Sequence, residues 1–97
     1  MENGKFMNLV IDIHEKKVKI ILLRNGKEED VLEFTEANNL SEKLLLSIAE
    51  ILEKNNLKPK DIVNMELKSN LTDSFTTYRI GKVIADTFNW SNGFLFQ

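Results

Sequence analysis

The chain has 97 residues, with 13 Lys and Arg against 15 Asp and Glu and a net charge of −2. Both signs are interspersed and no basic stripe is visible, so the chain lacks the footprint of a protein that grips nucleic acid by itself. It contains no cysteine, which excludes a disulfide framework and thiolate chemistry, and its 42% hydrophobic and 29% charged residues are those of a folded domain rather than a disordered segment.

A chain of this size buries roughly two-thirds of its unfolded surface, enough for one core. One domain over residues 1–97 is expected. The N-terminus has no long apolar run, so neither signal peptide nor membrane span is expected, and the expected location is the cytoplasm.

Residues 6–13 read as a strand that is apolar at nearly every position. A run apolar on both faces belongs in the middle of a sheet. His14-Glu15-Lys16-Lys17 is a turn, and residues 18–23 are a second β-branched and leucine strand. Asn25-Gly26 then separates two strand-like runs, which predicts a type I′ hairpin because both central residues of that turn need φ > 0. Residues 31–35 form a third strand, and the charges from Lys27 to Asp30 suit a protected edge.

Residues 40–55 predict a helix, with Ser41 or Asn39 as its cap. Leu40, Leu44, Leu45, Ile48, Ala49, Ile51 and Leu52 cover an arc of about 180°, wider than the ~100° stripe that covers one sheet. Leu46 lies outside even that arc. This helix is therefore expected to touch two things, the sheet and another helix from this chain, a copy of it or a different protein. Lys58-Pro59 is read as its stop. Residues 62–68 follow as a fourth strand, with Val63, Met65 and Leu67 expected on one face.

A polar loop, residues 69–73, leads into a second helix capped by Thr72 or Asp73. Its pattern runs to about Trp90, and Asn92-Gly93 offers a stop. Thr76, Ile80, Val83, Ile84, Thr87 and Phe88 make the expected packing stripe. Phe75, Tyr78, Arg79, Lys82, Asp86 and Trp90 fall on the other side. Aromatic rings among charges there have two readings: they cover loops or the chain end, or they form a partner surface. Phe94-Leu95-Phe96 reads as a short last strand.

The element string is β-β-β-α-β-α-β. Right-handed crossovers then give a five-stranded mixed sheet in order 3-2-1-4-5 with the first strand central. This is the ribonuclease-H-like half-domain of the actin-like ATPase superfamily. In that superfamily an Asp at the position of Asp12 opens a turn that handles metal and phosphate. Here the turn Asp12-Ile13-His14-Glu15-Lys16 has neither glycine nor hydroxyls, so backbone amides are not set to approach a phosphate. No second carboxylate is expected beside Asp12 for a two-metal site. His14, the lone histidine, has no companions for a metal site. Neither a catalytic group nor a cofactor is expected.

Ser74-Phe75-Thr76, Arg79-Ile80-Gly81 and Ala85 resemble the Ser-Phe-Thr-Gly-x-Arg-Ile-Gly helix start of the TsaB (YeaZ) family. Val10-Ile11-Asp12, Leu40-Ser41-Glu42-Lys43-Leu44-Leu45 and residues 57–62 are similar to that family's first strand, first helix and lead into the fourth strand. The pattern departs at Leu71-Thr72-Asp73, where the family has Gly-Pro-Gly, and at Thr77, where it has glycine. The resemblance covers the family's amino-terminal domain and implies that its second domain is absent. It implies a non-catalytic partner subunit in the synthesis of threonylcarbamoyladenosine in tRNA. Such a subunit pairs through its two helices, with a second copy or with the catalytic subunit TsaD. The residues implied in that pairing are Ser41, Leu44, Leu45, Ile48, Phe75, Tyr78, Arg79 and Lys82, with Gly81 allowing close helix packing. Two alternatives remain at this point. One is a homodimeric half-domain that has drifted from that pathway, and the other is a nucleotide- or metal-binding enzyme that uses Asp12.

Overall fold

The structure is a computed structural model and describes residues 7–35, 39–70 and 76–95. Three strands come first: β1 (Met7–His14), β2 (Lys17–Arg24) and β3 (Lys27–Thr35). Helix α1 (Leu40–Lys54), a 3-10 turn (Pro59–Asp61), strand β4 (Ile62–Ser69) and helix α2 (Thr76–Leu95) follow. The sheet order is β3-β2-β1-β4, with β1 antiparallel to β2, β2 antiparallel to β3, and β1 parallel to β4. The all-apolar first strand is central, as its sequence requires.

The β2–β3 turn places Asn25 at φ 53° and Gly26 at φ 85°, the left-handed pair that a tight hairpin demands. The β1–β2 turn uses Glu15 at φ 59°, and its N–H donates to Asn70 Oδ1 at 3.2 Å. That bond ties the first turn to the end of β4.

Both helices cover one face of the sheet. Beneath them lie Met7, Leu9, Ile11 and Ile13 of β1 and Val18, Ile20 and Leu22 of β2, none more than 1% exposed. Helix α1 adds Leu40, Leu44, Ile48, Ile51 and Leu52. No polar or charged side chain is buried among the described residues. The apolar layer is thus the whole core, and its removal from water is the main term holding the sheet to its helices.

Five expectations need correction. Phe94 and Leu95 are not strand: α2 continues through Asn92-Gly93 to Leu95, and no fifth strand is seen among the described residues. Phe96 lies outside them. A glycine permits a left-handed stop without imposing one, and inside a helix it costs only about 1 kcal/mol. Second, proline does not end α1. Asn56 at φ 57° does, with Leu57 N–H bonded to Leu52 O at 2.8 Å and Asn56 N–H to Glu53 O at 3.1 Å. This is a Schellman closure in which asparagine takes the left-handed position. Third, Asn39 stands at the N-cap position of α1 at φ 64°, but its side chain makes no cap bond, and Ser41 lies inside the helix.

The fourth correction concerns β4. Val63 is 60% exposed, and Ile62 points into the core with Met65. Met7 pairs with Ile62 and Asn8 with Asn64, so an irregularity at Val63 shifts the alternation by one residue. The fifth concerns α2. Its packing side is centred on Gly81 and Ala85; Ile80, Ile84 and Phe88 of the expected stripe pack against the core, whereas Val83 is turned outward at 60% exposure. That is a rotation of about 100°, one residue step, from the stripe expected on hydrophobicity.

Candidate interaction surface

The polar contacts fix how each helix is turned. On α1, Lys54 Nζ pairs with Asp30 Oδ2 at 3.1 Å, and Asn55 Nδ2 donates to the same oxygen at 3.0 Å. Lys43 Nζ lies 5.4 Å from the centre of the Phe34 ring. All these partners are on β3, so that flank of α1 faces the β3 edge. On the flank of α1 away from β3, Ser41, Leu45 and Ala49 are exposed. On α2, Asn89 is bonded to Met65 of β4, and Tyr78 and Lys82 share that flank. The opposite flank carries Ile80 and Ile84, both half-buried, and faces α1.

Between the two flanks runs the outer surface of the helix layer. Leu45 is 57% exposed, Leu46 62%, Val83 60% and Trp90 68%. Ala49 and Thr87 are exposed beside them. Singly exposed apolar side chains are ordinary, but these four belong to the same helical layer.

Among the residues singled out in the sequence, Leu44 and Ile48 lie in the chain's own core at 0% and 6% exposure. They are covered by the sheet, so they do not belong to the outer surface. Ser41, Leu45, Arg79 and Lys82 are exposed, and Tyr78 is half-buried against β4. Phe75 lies outside the described residues, as do Thr72 and Asp73. Gly81 permits a close approach to the sheet: a Cβ there would sit 3.0 Å from Ile13 Cδ1 and 3.1 Å from Leu67 Cδ1. Sequence reasoning set Trp90 on a candidate partner side and Leu46 outside the apolar arc, but it put Val83 in the packing stripe and did not join the three. Their signal was present, since Leu46 fell outside the wide arc and Trp90 outside the packing stripe. The turn of α2 was missing.

Among the described residues, Asp30 is the titratable group with a resolved displacement. The hydrogen bond from Asn55, followed by that from Lys54, holds its carboxyl below the ordinary value. The contact fastens the end of α1 to β3.

The helix-free face of the sheet contains Asp12. Across the strands, Glu33 pairs in register with Lys19, Lys19 with Asp12, and Asp12 with Lys68. The row alternates in sign across four strands, which accounts for the half-buried Asp12 as one rung of a charge ladder. The next row, Val31, Ile21 and Val10, is apolar. A cavity of about 640 Å³ opens beside Asp12, lined also by His14, Lys16, Lys17, Lys19 and Thr35. Its lining is mixed in charge, and Lys17 is already paired with Glu33 at 3.3 Å. Among the described residues no three His, Asp or Glu side chains gather closely enough to hold a metal ion. No described helix is long and apolar enough to cross a membrane.

No family model matches the sequence, and no curated protein sequence matches it. Solved structures do share the fold. YeaZ from Pseudomonas aeruginosa superposes with a TM-score of 0.75 at 13% identity, over 91% of this chain and 40% of that one. An uncharacterized protein with similarity to peptidase YEAZ from Pseudomonas aeruginosa gives 0.76, again at 13% identity and with the same coverage. The chain therefore has a YeaZ-like fold and spans well under half the length of the proteins it matches.

Proposed function

We propose that this chain is a non-enzymatic interaction module of the TsaB kind. It pairs through the outer face of α1 and α2, with a second copy or with a TsaD-like catalytic subunit of tRNA threonylcarbamoyladenosine synthesis. The observation that carries the reading is the outward placement of Leu45, Leu46, Val83 and Trp90 on one helical layer. Two helices that each offer an apolar crown pack against another such pair as a four-helix bundle. The YeaZ-like fold and the Ser74–Gly81 resemblance support the choice of pathway, and any RNA contact is assigned to the partner. Specific association of this type buries about 800 Å² on each side.

The test is solution mass by light scattering over a concentration series, together with capture of the TsaD-like subunit. The double variant Leu45→Glu, Val83→Glu places two charges on the shared surface. It is expected to abolish self-association, capture of the catalytic subunit, or both. Unchanged mass and unchanged capture would show that this face is not the interface. Dimerisation lost on mutation, with no capture at any concentration, would favour a homodimeric half-domain outside the pathway. The replacement of Gly-Pro-Gly by Leu71-Thr72-Asp73 motivates that second reading.

A further inference from the structure

The β2–β3 turn joins its strands through an Asn-Gly pair. Asn25 and Gly26 are exposed and lie beyond the last rung of the ladder, where Arg24 pairs with Lys27. Their φ angles, 53° and 85°, are both positive, which makes this a type I′ turn. Residues with a side chain rarely adopt positive φ. Here the hairpin imposes it on Asn25.

The other tight hairpin turn, type II′, keeps φ positive at its first central residue and sets ψ there to about −120°. A flip of the peptide between Asn25 and Gly26 interconverts the two. The flip reverses the sign of φ at Gly26, and glycine accepts either sign. A Cβ at Gly26 would meet nothing within 4 Å, so no neighbour stands in the way. With ψ at about −120°, the next backbone nitrogen of an L residue eclipses its Cβ. The Gly26 nitrogen and Asn25 Cγ can then close a planar five-membered ring while φ of Asn25 stays as it is. Helix α2 contains a second such pair, Asn92-Gly93. Helical backbone holds ψ at about −42° and turns each N–H toward the preceding turn, so ring closure there requires the helix to open. A third pair, Asn3-Gly4, lies outside the described residues.

We propose that Asn25-Gly26 is a self-modification site, in which the β2–β3 turn presents Asn25 for closure onto the Gly26 nitrogen as a cyclic imide. The Gly26 nitrogen gives its proton to hydroxide, attacks Asn25 Cγ and forms the N–Cγ bond. The Cγ–Nδ2 bond breaks, and ammonia leaves after taking a proton from water. Water then opens the imide at either carbonyl. Breaking the N–Cγ bond leaves aspartate at position 25 on an unchanged main chain. Breaking the bond from the main-chain carbonyl to the Gly26 nitrogen leaves isoaspartate, whose main chain runs through Cβ and Cγ and is one atom longer. Both products carry a new negative charge beside the ion pair of Arg24 Nε and Glu29 at 3.2 Å. The longer main chain does not fit a two-residue turn, so isoaspartate opens the Arg24–Lys27 rung. This inference concerns the hairpin and stands apart from the helix-face reading.

The experiment incubates the intact chain in mildly alkaline buffer, folded and in urea, and locates amide-to-acid conversion by mass spectrometry of its peptides. Folding is expected to slow conversion at Asn92 at least tenfold more than at Asn25. A smaller difference, or the reverse order, would overturn presentation by the turn. No conversion at Asn25 in the folded chain, over the time in which the unfolded chain converts fully, would overturn the site itself. Hydroxylamine tests the ring, because it opens a cyclic imide with cleavage of the chain. The folded chain is expected to be cut after Asn25. Conversion at Asn25 without that cut would mean direct hydrolysis of the side-chain amide and would overturn the imide.

Discussion

Helix α1 and helix α2 cover the same face of one sheet by different means. Helix α1 stands on large side chains, and five of its residues are buried. Helix α2 lies close: its fully buried positions among the described side chains are Gly81 and Ala85, and it is pinned to β4 by Asn89. Fully buried volume holds the first, whereas close approach, the half-buried Ile80, Ile84 and Phe88, and one amide hold the second. The difference explains why α1 could be oriented from its own sequence and α2 could not. A hydrophobic scale weighs large residues, and in α2 the smallest ones mark the contact.

The comparison can be broken most strongly at Leu44. It is fully buried under α1, so Leu44→Ala removes two methyl groups and a methine and leaves a cavity. A loss of about 2–5 kcal/mol is expected from denaturant unfolding. A loss below about 1 kcal/mol would mean that volume does not hold α1 in place.

Gly81 tests the other mode. Gly81→Leu is expected to destabilise by about 1–3 kcal/mol through overpacking against Ile13 and Leu67. Gly81→Ala is expected to fall within about 1 kcal/mol of native. Its gain in helix propensity is offset by contacts near 3.0 Å with two methyl groups. If both variants were neutral, α2 would not depend on close approach.

The outer surface should respond in association and hardly in stability. Leu45 and Val83 are 57% and 60% exposed, so the double Glu variant is expected to keep its stability within about 1 kcal/mol. Its solution mass or partner capture is expected to change. A large fall in stability would place these residues in the core of the chain itself.

The smallest expected effect is at Asp30. Its carboxyl is held below the ordinary value by Asn55 and then Lys54. The stabilisation is therefore fully present above the unfolded-state value and is lost as pH falls through the lowered one. The difference in melting temperature between native and Asp30→Asn should be greatest at neutral pH and shrink in acid. A difference that stays constant from pH 7 to below 3 would remove the carboxylate's charge as the cause.

Much of this protein was legible from local chemistry. The apolar run of β1 required a central strand, and Asn25-Gly26 required the hairpin. The spacing of Leu40, Leu44, Ile48 and Ile51 required a helix with one buried side. Each of these signals depends on neighbours in the chain, which is why composition and period carried them.

Tertiary structure decided the rest. The irregularity at Val63 depends on how β4 meets β1, because Ile62 and Met65 turn to the same side only through that pairing. The closure at Asn56 was a choice between two available stops. The turn of α2 followed from Gly81 fitting against Ile13 and Leu67. Asp12 became one rung of a charge ladder only when β2 and β4 brought Lys19 and Lys68 beside it. Asn89 reads in sequence as an ordinary polar helix residue, and 24 positions separate it from Met65. Pairings of that kind are fixed when the chain closes on itself, since no local pattern encodes which backbone groups are left open at the edge of a sheet.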